Sequence, residues 1–221
     1  MARHERKTEP QQTKQGLLVS YEHIEPFLVE AEIQGKLYSF EQAQKAKTLL
    51  IAPIPDDYAI YALHQIMFEN LYSWAGQPRR SDKGPGGIVH VSWTMVRQEM
   101  RQFAENLHSR ITALPENSNL EAMAEIIAWA HHQFQYIHPF EDTNGRTGRV
   151  FDHYLLWVTF EMIGGTLDSA VILEAFPDET FEHEYYQGLQ EADAGYLERL
   201  ERYYINRIQT AIAARNERLK E

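Results

Sequence analysis

Apolar positions recur along most of the chain at intervals of three and four residues, which is the spacing of one face of an α-helix. The pattern predicts a helix after "APIPDD", a second over residues 95–114 and a third in "LEAMAEIIAWAHHQFQYI". A fourth follows in "RVFDHYLLWVTFEM", and two more stretches come after it, the last beginning at Tyr196. The pattern therefore predicts an all-α fold.

The N-terminal part divides into two segments ahead of the main core. Residues 1–18 are polar and without periodicity, so we expect a mobile tail there. Residues 19–54 are helix-permissive with a break at "IQGKLYS". Ser39, followed at the third position by Gln42, predicts the start of a capped helix. We expect residues 55–221 to form one core that includes the C-terminal helices.

Residues 81–93, "SDKGPGGIVHVSW", differ from the helical pattern around them. Three glycines and a proline precede a short alternating piece that contains β-branched residues. This combination predicts a hairpin-like flap, a small β addition to the helical fold. The flap is centred on Gly86, Gly87, Ile88, Val89, His90 and Val91.

Composition narrows the class of protein. With 221 residues, of which 43% are hydrophobic, the chain can bury one core. The net charge of -11 disfavours binding to nucleic acid or to an anionic membrane surface, because phosphates would be repelled. There is no cysteine, and no apolar run is long enough to span a bilayer. We therefore expect a cytoplasmic protein, with a secreted effector as the alternative.

The stretch "IHPFEDTNGRTGR", residues 137–149, concentrates polar side chains between two apolar helices. Pro139 ends the first helix, because proline disfavours helical geometry in the residue before it. The helix that follows presents unpaired N–H groups at its N-terminus, which suits an anion. Arg146 and Arg149 lie three residues apart on the same face of this helix and suit successive phosphates.

Two further side chains complete a phosphate-transfer arrangement in this stretch. Asp142 offers a hard oxygen ligand for Mg²⁺ held against phosphates. His138 offers an imidazole that can accept the proton of an incoming hydroxyl. Taken singly, these residues also fit a helix-entry turn and a solvated helix face. Together they predict a nucleotide phosphate site with a general base at its edge.

The stretch resembles the signature of the Fic family, His-Pro-Phe-x-(Asp/Glu)-Gly-Asn-Gly-Arg-x-x-Arg. In this chain the signature reads His138, Pro139, Phe140, Glu141, Asp142, Thr143, Asn144, Gly145, Arg146, Thr147, Gly148 and Arg149. The departure is Thr143, where the family usually has Gly, so the turn is either an ordinary one or carries strain. The run "LHQIMFENLYSWAGQPR" and the flap are also similar to the family, so the resemblance covers residues 59–149.

The resemblance implies a helical fold and the transfer of AMP from ATP to a protein hydroxyl. It implies that His138 deprotonates a Ser, Thr or Tyr hydroxyl and that Asp142 holds Mg²⁺. Phe140 would anchor the loop in the core, and the flap would pair with an extended segment of the target protein by β-augmentation. The residues expected to bind the nucleotide phosphates are Asn144, Gly145, Arg146, Gly148 and Arg149.

Many Fic proteins also carry an inhibitory helix with a (Ser/Thr)-x-x-x-Glu-(Gly/Asn) motif, whose Glu pairs with the second motif arginine. The segment "VEAEIQGKLYSFEQA" is similar in layout, with Gln34 and Gly35 in place of Glu-Gly and Glu30 in the Ser/Thr place. A neutral Gln34 would lack the charge that makes this contact strong. We therefore expect a weak or absent brake, and inhibition by a separate antitoxin chain is the open alternative.

Three hypotheses for the function follow from the sequence. The first is an AMP transferase, with another nucleotide or phosphate-containing group as a variant of the same chemistry. The second is a weakly active or inactive Fic-like module that binds a nucleotide or a partner. Thr143, in place of the family's usual Gly, is the feature that favours this hypothesis. The third is a helical scaffold that binds no nucleotide. Zinc is not expected, because no metal-binding spacing relates His131, His132, His138 and His153.

Overall fold

A computed structural model describes residues 11–12, 18–19, 21–49, 55–82, 84, 89–115, 118–162 and 182–220 of the chain. Seven α-helices lie in these residues, and they confirm the predicted all-α fold. The helices are α1 (Tyr21–Leu49), α2 (Asp57–Phe68), α3 (Val96–Thr112), α4 (Leu120–Ile137), α5 (Asn144–Met162), α6 (Glu182–Asp193) and α7 (Glu198–Arg218).

α4 forms the centre of the fold, where it packs against α3, α5 and α7. It begins after Asn119, whose side chain accepts a hydrogen bond from the Ala122 N–H at 3.0 Å and so caps the helix. Its apolar face, which includes Met123, Ile127 and Phe134, is fully buried. Because α4 ends directly before the polar stretch, the central helix carries that stretch at one end of the core.

α1 lies against α2 and α5 and runs without a break through the segment predicted to interrupt it. At Gly35 an added Cβ would lie 2.7 Å from Met67 Cγ and 3.0 Å from Val150 Cγ1. The glycine therefore allows close helix packing and does not break the helix. The predicted helix start at Ser39 is wrong, because Ser39 is buried inside α1 and packing outweighs its capping signal.

The predicted tail contains a short β-ladder. Strands β1 (Gln11–Gln12) and β2 (Leu18–Val19) pair antiparallel, which the polar composition of this stretch did not indicate. The other positions of the predicted tail lie outside the described residues.

The predicted flap falls partly outside the described residues, which leave out Gly86, Gly87 and Ile88. Residues 89–91 are described and have an irregular backbone, with Val91 buried. The hairpin therefore stays a prediction. Among the described helices, none has both the length and the apolar character needed to cross a membrane.

Candidate active site

His138 ends α4 in a strained backbone conformation. Its φ of 51° and ψ of 61° lie in the left-handed region, which few residues other than glycine adopt. Its N–H still donates to the Phe134 carbonyl at 2.9 Å, while Pro139 prevents a further helical turn. The chain therefore leaves the helix at the residue that carries the predicted general base.

Arg79 holds the backbone of His138 from outside the signature. This arginine is 2% exposed, and its Nε donates to the His138 carbonyl at 2.8 Å. Its terminal nitrogens donate to the carbonyls of Ser81, which precedes the flap, and of Val91, the last flap residue. One buried guanidinium thus joins both ends of the flap to the predicted base.

Glu141 makes a second connection between the loop and the flap. Its carboxylate accepts hydrogen bonds from the Arg80 backbone N–H at 2.8 Å and from the Ser81 hydroxyl at 3.2 Å. The signature leaves this position variable, and sequence reasoning missed its role. The sequence shows that Glu141 is a loop carboxylate, but it does not show that the flap lies next to it.

The loop turns at Thr143, which has a positive φ of 62°. The position where the family usually has Gly therefore keeps a glycine-type conformation, and the turn carries strain. The Thr143 N–H donates to Asp142 Oδ1 at 2.7 Å, and its hydroxyl donates to the Asp142 carbonyl at 2.6 Å. These bonds fix the predicted Mg²⁺ ligand relative to the turn.

Phe140 and Asn144 close the loop onto the core. Phe140 is fully buried, and its ring stacks on His64 with centroids 3.7 Å apart. Asn144 accepts a hydrogen bond from the Phe140 N–H and donates one to the Phe140 carbonyl, both at 2.9 Å. The side-chain amide of Asn144 is therefore already hydrogen-bonded within the loop. The predicted phosphate contact of Asn144 would be made by its backbone N–H.

The first turn of α5 presents the predicted anion site. The Thr147 N–H donates to the Thr143 carbonyl at 3.0 Å and so begins the helical hydrogen-bond series. The N–H groups of Asn144, Gly145 and Arg146 precede it and point out of the helix end. An added Cβ at Gly145 would come no closer than 3.7 Å to another residue, so the backbone there is open to a ligand.

Gly148 does not belong to this anion site, which corrects its prediction as a phosphate-binding residue. An added Cβ would lie 2.5 Å from Gln135 Nε2 and 3.1 Å from His131 Cε1, both on α4. Gly148 is buried between the two helices. Its physical role is to let α4 and α5 approach closely.

Carboxylates of α1 hold both motif arginines. Arg146 Nη2 donates to the two oxygens of Glu25 at 2.7 and 2.8 Å, and its Nη1 donates to Glu32 Oε1 at 2.5 Å. Arg149 Nη2 donates to the same Glu32 oxygen at 3.1 Å. Burial lowers the pKa of Arg149, whereas the charge of Glu32 raises it. The net effect is a raised pKa, so the guanidinium stays charged. Its Nε is buried without a hydrogen-bond partner among the described residues.

Glu32, and not Gln34, pairs with the second motif arginine. Gln34 Nε2 donates to Glu30 Oε1 at 3.4 Å on the exposed side of α1. Residues two apart on a helix point about 200° apart, so a helix that turns Glu32 toward Arg149 turns Gln34 away. The predicted position is wrong, and the missed signal is the seven-residue spacing that places Glu25 and Glu32 on one face.

A buried polar network lies next to Arg149 along α5. His131 is 2.8 Å from Asp152 Oδ2 and 2.6 Å from the Tyr185 hydroxyl, and the Tyr204 hydroxyl donates to Asp152 at 2.8 Å. Burial raises the pKa of Asp152. The network joins α4 and α5 to α6 and α7. Sequence reasoning missed it, although polar residues on two otherwise apolar helices were its signal.

The histidines considered for zinc occupy separate surroundings. His131 belongs to the polar network, and His132 Nε2 lies 3.0 Å from Asp193 Oδ1. Over the stretches that the structure describes, no three His, Cys, Asp or Glu side chains come together as a metal-binding group.

A family model matches the part of the chain that carries this site. The model of the Fic/DOC family matches residues 55–156. A protein of Sinorhizobium fredii described as a probable protein adenylyltransferase is 37% identical over 124 residues. The alignment covers 53% of this chain and 62% of that relative, so the chain spans less than two thirds of the relative's length.

Solved structures of Fic proteins have a similar fold. BepC, a VirB-translocated effector of Bartonella tribocorum solved with bound AMPPNP, has a TM-score of 0.62 at 17% identity, covering 91% of this chain and 93% of its own. The Fic domain of a Bartonella quintana effector has a TM-score of 0.63 at 18% identity, covering 91% and 89%. Fic-1 of C. elegans has a TM-score of 0.58 at 20% identity, covering 86% of this chain and 52% of its own.

At these identities the structures establish the fold alone. Residues 55–156, which carry the signature, match the model of the Fic/DOC family, and the chain shares its fold with these Fic proteins.

Proposed function

We propose that the protein transfers AMP from Mg-ATP to a Ser, Thr or Tyr hydroxyl of a target protein, with His138 as the general base. The observation that carries the proposal is that one loop and the first two turns of α5 hold His138, Asp142 and both motif arginines. The relative described as a probable adenylyltransferase and the AMPPNP-bound BepC structure support a nucleotide substrate.

His138 supplies the proton acceptor in this proposal. The target hydroxyl oxygen attacks the α-phosphorus of ATP, and its proton passes to the imidazole. The bond between the α-phosphorus and the bridging oxygen breaks, and pyrophosphate leaves. Arg79 holds the carbonyl of His138, so the backbone that carries the imidazole stays in place during the transfer.

The nucleotide phosphates would lie at the N-terminus of α5. Backbone N–H groups of Asn144 and Gly145 suit the α-phosphate, while Arg146 and Arg149 suit the β- and γ-phosphates. Asp142 fits Mg²⁺, because a half-buried carboxylate beside the phosphates is the hard oxygen ligand that this ion accepts together with phosphate oxygens. When bound, the ion would neutralise phosphate charge.

The carboxylates of α1 would compete with ATP for these arginines. Glu25 takes Arg146 in a bidentate contact, and Glu32 bridges Arg146 and Arg149. Phosphates need the same guanidinium groups, so ATP binds productively only when these ion pairs open. The proposal places the brake within the chain, in preference to a separate antitoxin chain.

The target protein is proposed to bind at the flap. Arg79 and Glu141 fix the base of the flap beside His138. Val89, at its described edge, is 43% exposed, so an extended target segment has access to it. Pairing by main-chain hydrogen bonds would orient a hydroxyl toward the base without demanding a long recognition sequence.

The transferred group can be tested with two labels. The full chain is incubated with a cell lysate and Mg²⁺, with ATP labelled either on the α-phosphate or on the γ-phosphate. AMP transfer puts the α-label on protein and leaves the γ-label in pyrophosphate. Protein labelled only from the γ-position would replace the proposal with phosphoryl transfer. ATP binding without label from either position would favour the nucleotide-binding module.

A further inference from the structure

His64 is buried between the motif loop and the turn that follows α2. Its Nδ1 accepts a hydrogen bond from the Gly76 N–H at 2.8 Å, and its Nε2 lies 3.0 Å from Thr143 Oγ1. The same ring stacks on Phe140, with ring planes 18° apart. One imidazole therefore contacts two residues of the loop that carries the transfer chemistry.

The partners of His64 determine where its proton lies. A backbone N–H can only donate, so Nδ1 is an acceptor and the ring proton is on Nε2. The Thr143 hydroxyl donates to the Asp142 carbonyl at 2.6 Å and therefore accepts from His64. The result is a one-directional series from the Gly76 N–H through His64 and Thr143 to Asp142. Burial lowers the pKa of His64 to about 3, so the ring is neutral near pH 7.

Thr143 needs such a partner because of its backbone. Its φ of 62° lies in the left-handed region, which β-branched residues resist. A glycine at this position would adopt the conformation without help. This chain has a threonine instead, and its hydroxyl is held between His64 and the Asp142 carbonyl.

We propose that His64 is a positioning residue for the transfer reaction, which acts through the Thr143 hydroxyl to hold the loop between His138 and Asp142. The inference rests on the proposed function, since its kinetic test requires AMP transfer. In this proposal His64 helps to align the general base and does not contact the substrate. It also explains how this chain keeps the turn without the usual glycine.

The test combines matched changes at both ends of the hydrogen bond. Asn at position 64 keeps an acceptor near the place of Nδ1 and lacks the Nε2 donor, whereas Gln can place a donor near Nε2. His64→Asn should lower kcat about tenfold with KM for ATP within about twofold, because the α5 arginines are unchanged. His64→Gln should recover part of the loss. Thr143→Val, which removes only the hydroxyl, should match His64→Asn.

The Thr143→Gly background separates positioning from general stability. With glycine the turn no longer needs the hydroxyl, so His64→Asn should lower kcat by less than about twofold in that background. The thermal midpoint should fall in both backgrounds, since the cavity around residue 64 is the same. An equal loss of kcat in both backgrounds would overturn the proposal. If His64→Asn does not fold, the test uses Thr143→Val alone. A kcat equal to that of the wild type in Thr143→Val would then overturn the proposal.

A measurement independent of activity separates this inference from the proposed function. Ring-nitrogen NMR shifts of ¹⁵N-histidine-labelled protein report the tautomer of His64. The inference predicts a proton on Nε2 in the wild type and a shifted Nε2 resonance in Thr143→Val. A proton on Nδ1, or an Nε2 resonance that Thr143→Val leaves unchanged, would overturn it. A wild type that transfers no AMP would overturn the proposed function and leave this result standing.

Discussion

Two loop residues, His138 and Thr143, have positive φ without being glycine. Each such position costs on the order of 1–3 kcal/mol and persists only where the surrounding structure holds it. Both receive a hydrogen bond from a buried side chain elsewhere in the domain: Arg79 donates to the His138 carbonyl, and His64 contacts the Thr143 hydroxyl. The geometry of the loop thus depends on residues outside the signature.

Replacing Arg79 by lysine should lower kcat for AMP transfer by more than about tenfold and leave the affinity for ATP within about twofold. An ammonium group cannot reach the carbonyls of His138, Ser81 and Val91 with the geometry of a guanidinium fork. Arg80→Lys is the matched control, because Arg80 is exposed. Single-turnover assays with calorimetric ATP titrations measure the two quantities. Wild-type kcat in Arg79→Lys would contradict this prediction.

His64 should make the stability of the protein depend on pH in the acidic range. Its pKa falls from an ordinary 6.5 to about 3 on folding, so between these values the unfolded chain binds more protons. The stabilisation is complete above pH 6.5 and is lost as the pH falls toward 3. The slope reaches about 1.4 kcal/mol per pH unit for one proton. Urea unfolding from pH 7 to 4.5 should show this extra slope in wild type relative to His64→Gln, and parallel profiles would contradict it.

At this scale the sequence predicts the residues that share one loop and misses those that meet it from a distance. His138, Asp142 and the two arginines fall in twelve consecutive residues, so local spacing is sufficient to assemble them. Arg79 lies 59 positions from His138, and His64 lies 79 positions from Thr143. No local pattern encodes such contacts.

α1 is the element whose carboxylates contact both motif arginines. The sequence predicts a helical N-terminal segment of inhibitory type, but it predicts the wrong rotation of that helix. Local matching to a Glu-Gly pair selects Gln34, whereas the rotation is determined by Gly35, which packs between Met67 and Val150. In this orientation Glu32 contacts both arginines, and the motif does not specify that orientation.

Removing the charge of Glu32 should release the brake. Glu32→Gln keeps the size of the side chain and weakens the charge-assisted contacts with both arginines, so AMP transfer should rise on the order of tenfold. Glu25→Gln should give a smaller rise, since Glu32 still holds both arginines. Glu30→Gln and Gln34→Glu serve as controls on the exposed side and should leave transfer unchanged. The prediction fails if Gln34→Glu inhibits while Glu32→Gln has no effect; initial rates at subsaturating ATP decide between these results.

At the scale of the whole molecule, the fold presents a local basic site on an acidic protein. The net charge of -11 disfavours a broad anion-binding surface, yet two arginines and a helix N-terminus give a confined site suited to a triphosphate. The central helix α4 ends at His138, and α5 begins at the turn proposed to bind phosphate. α1 lies across α5 with its carboxylates on the same arginines. The proposed base, phosphate site and inhibitory carboxylates therefore lie together at one end of the helical core.

The spacing of apolar residues predicts the all-α class, because helical periodicity is a local property of the sequence. The signature predicts which part of the chain forms the candidate site. The placement of α1 and the polar network of His131 and Asp152 depend on packing between distant helices. These features required the structure.

The most direct test of the proposed activity is incubation of the full chain with ATP labelled on the α-phosphate, Mg²⁺ and a cell lysate, beside His138→Ala. The predicted result is labelled protein bands in the wild type, stronger bands in Glu32→Gln, and none in His138→Ala. Bands of equal intensity in wild type and His138→Ala would contradict the assignment of His138 as the general base of an AMP transferase.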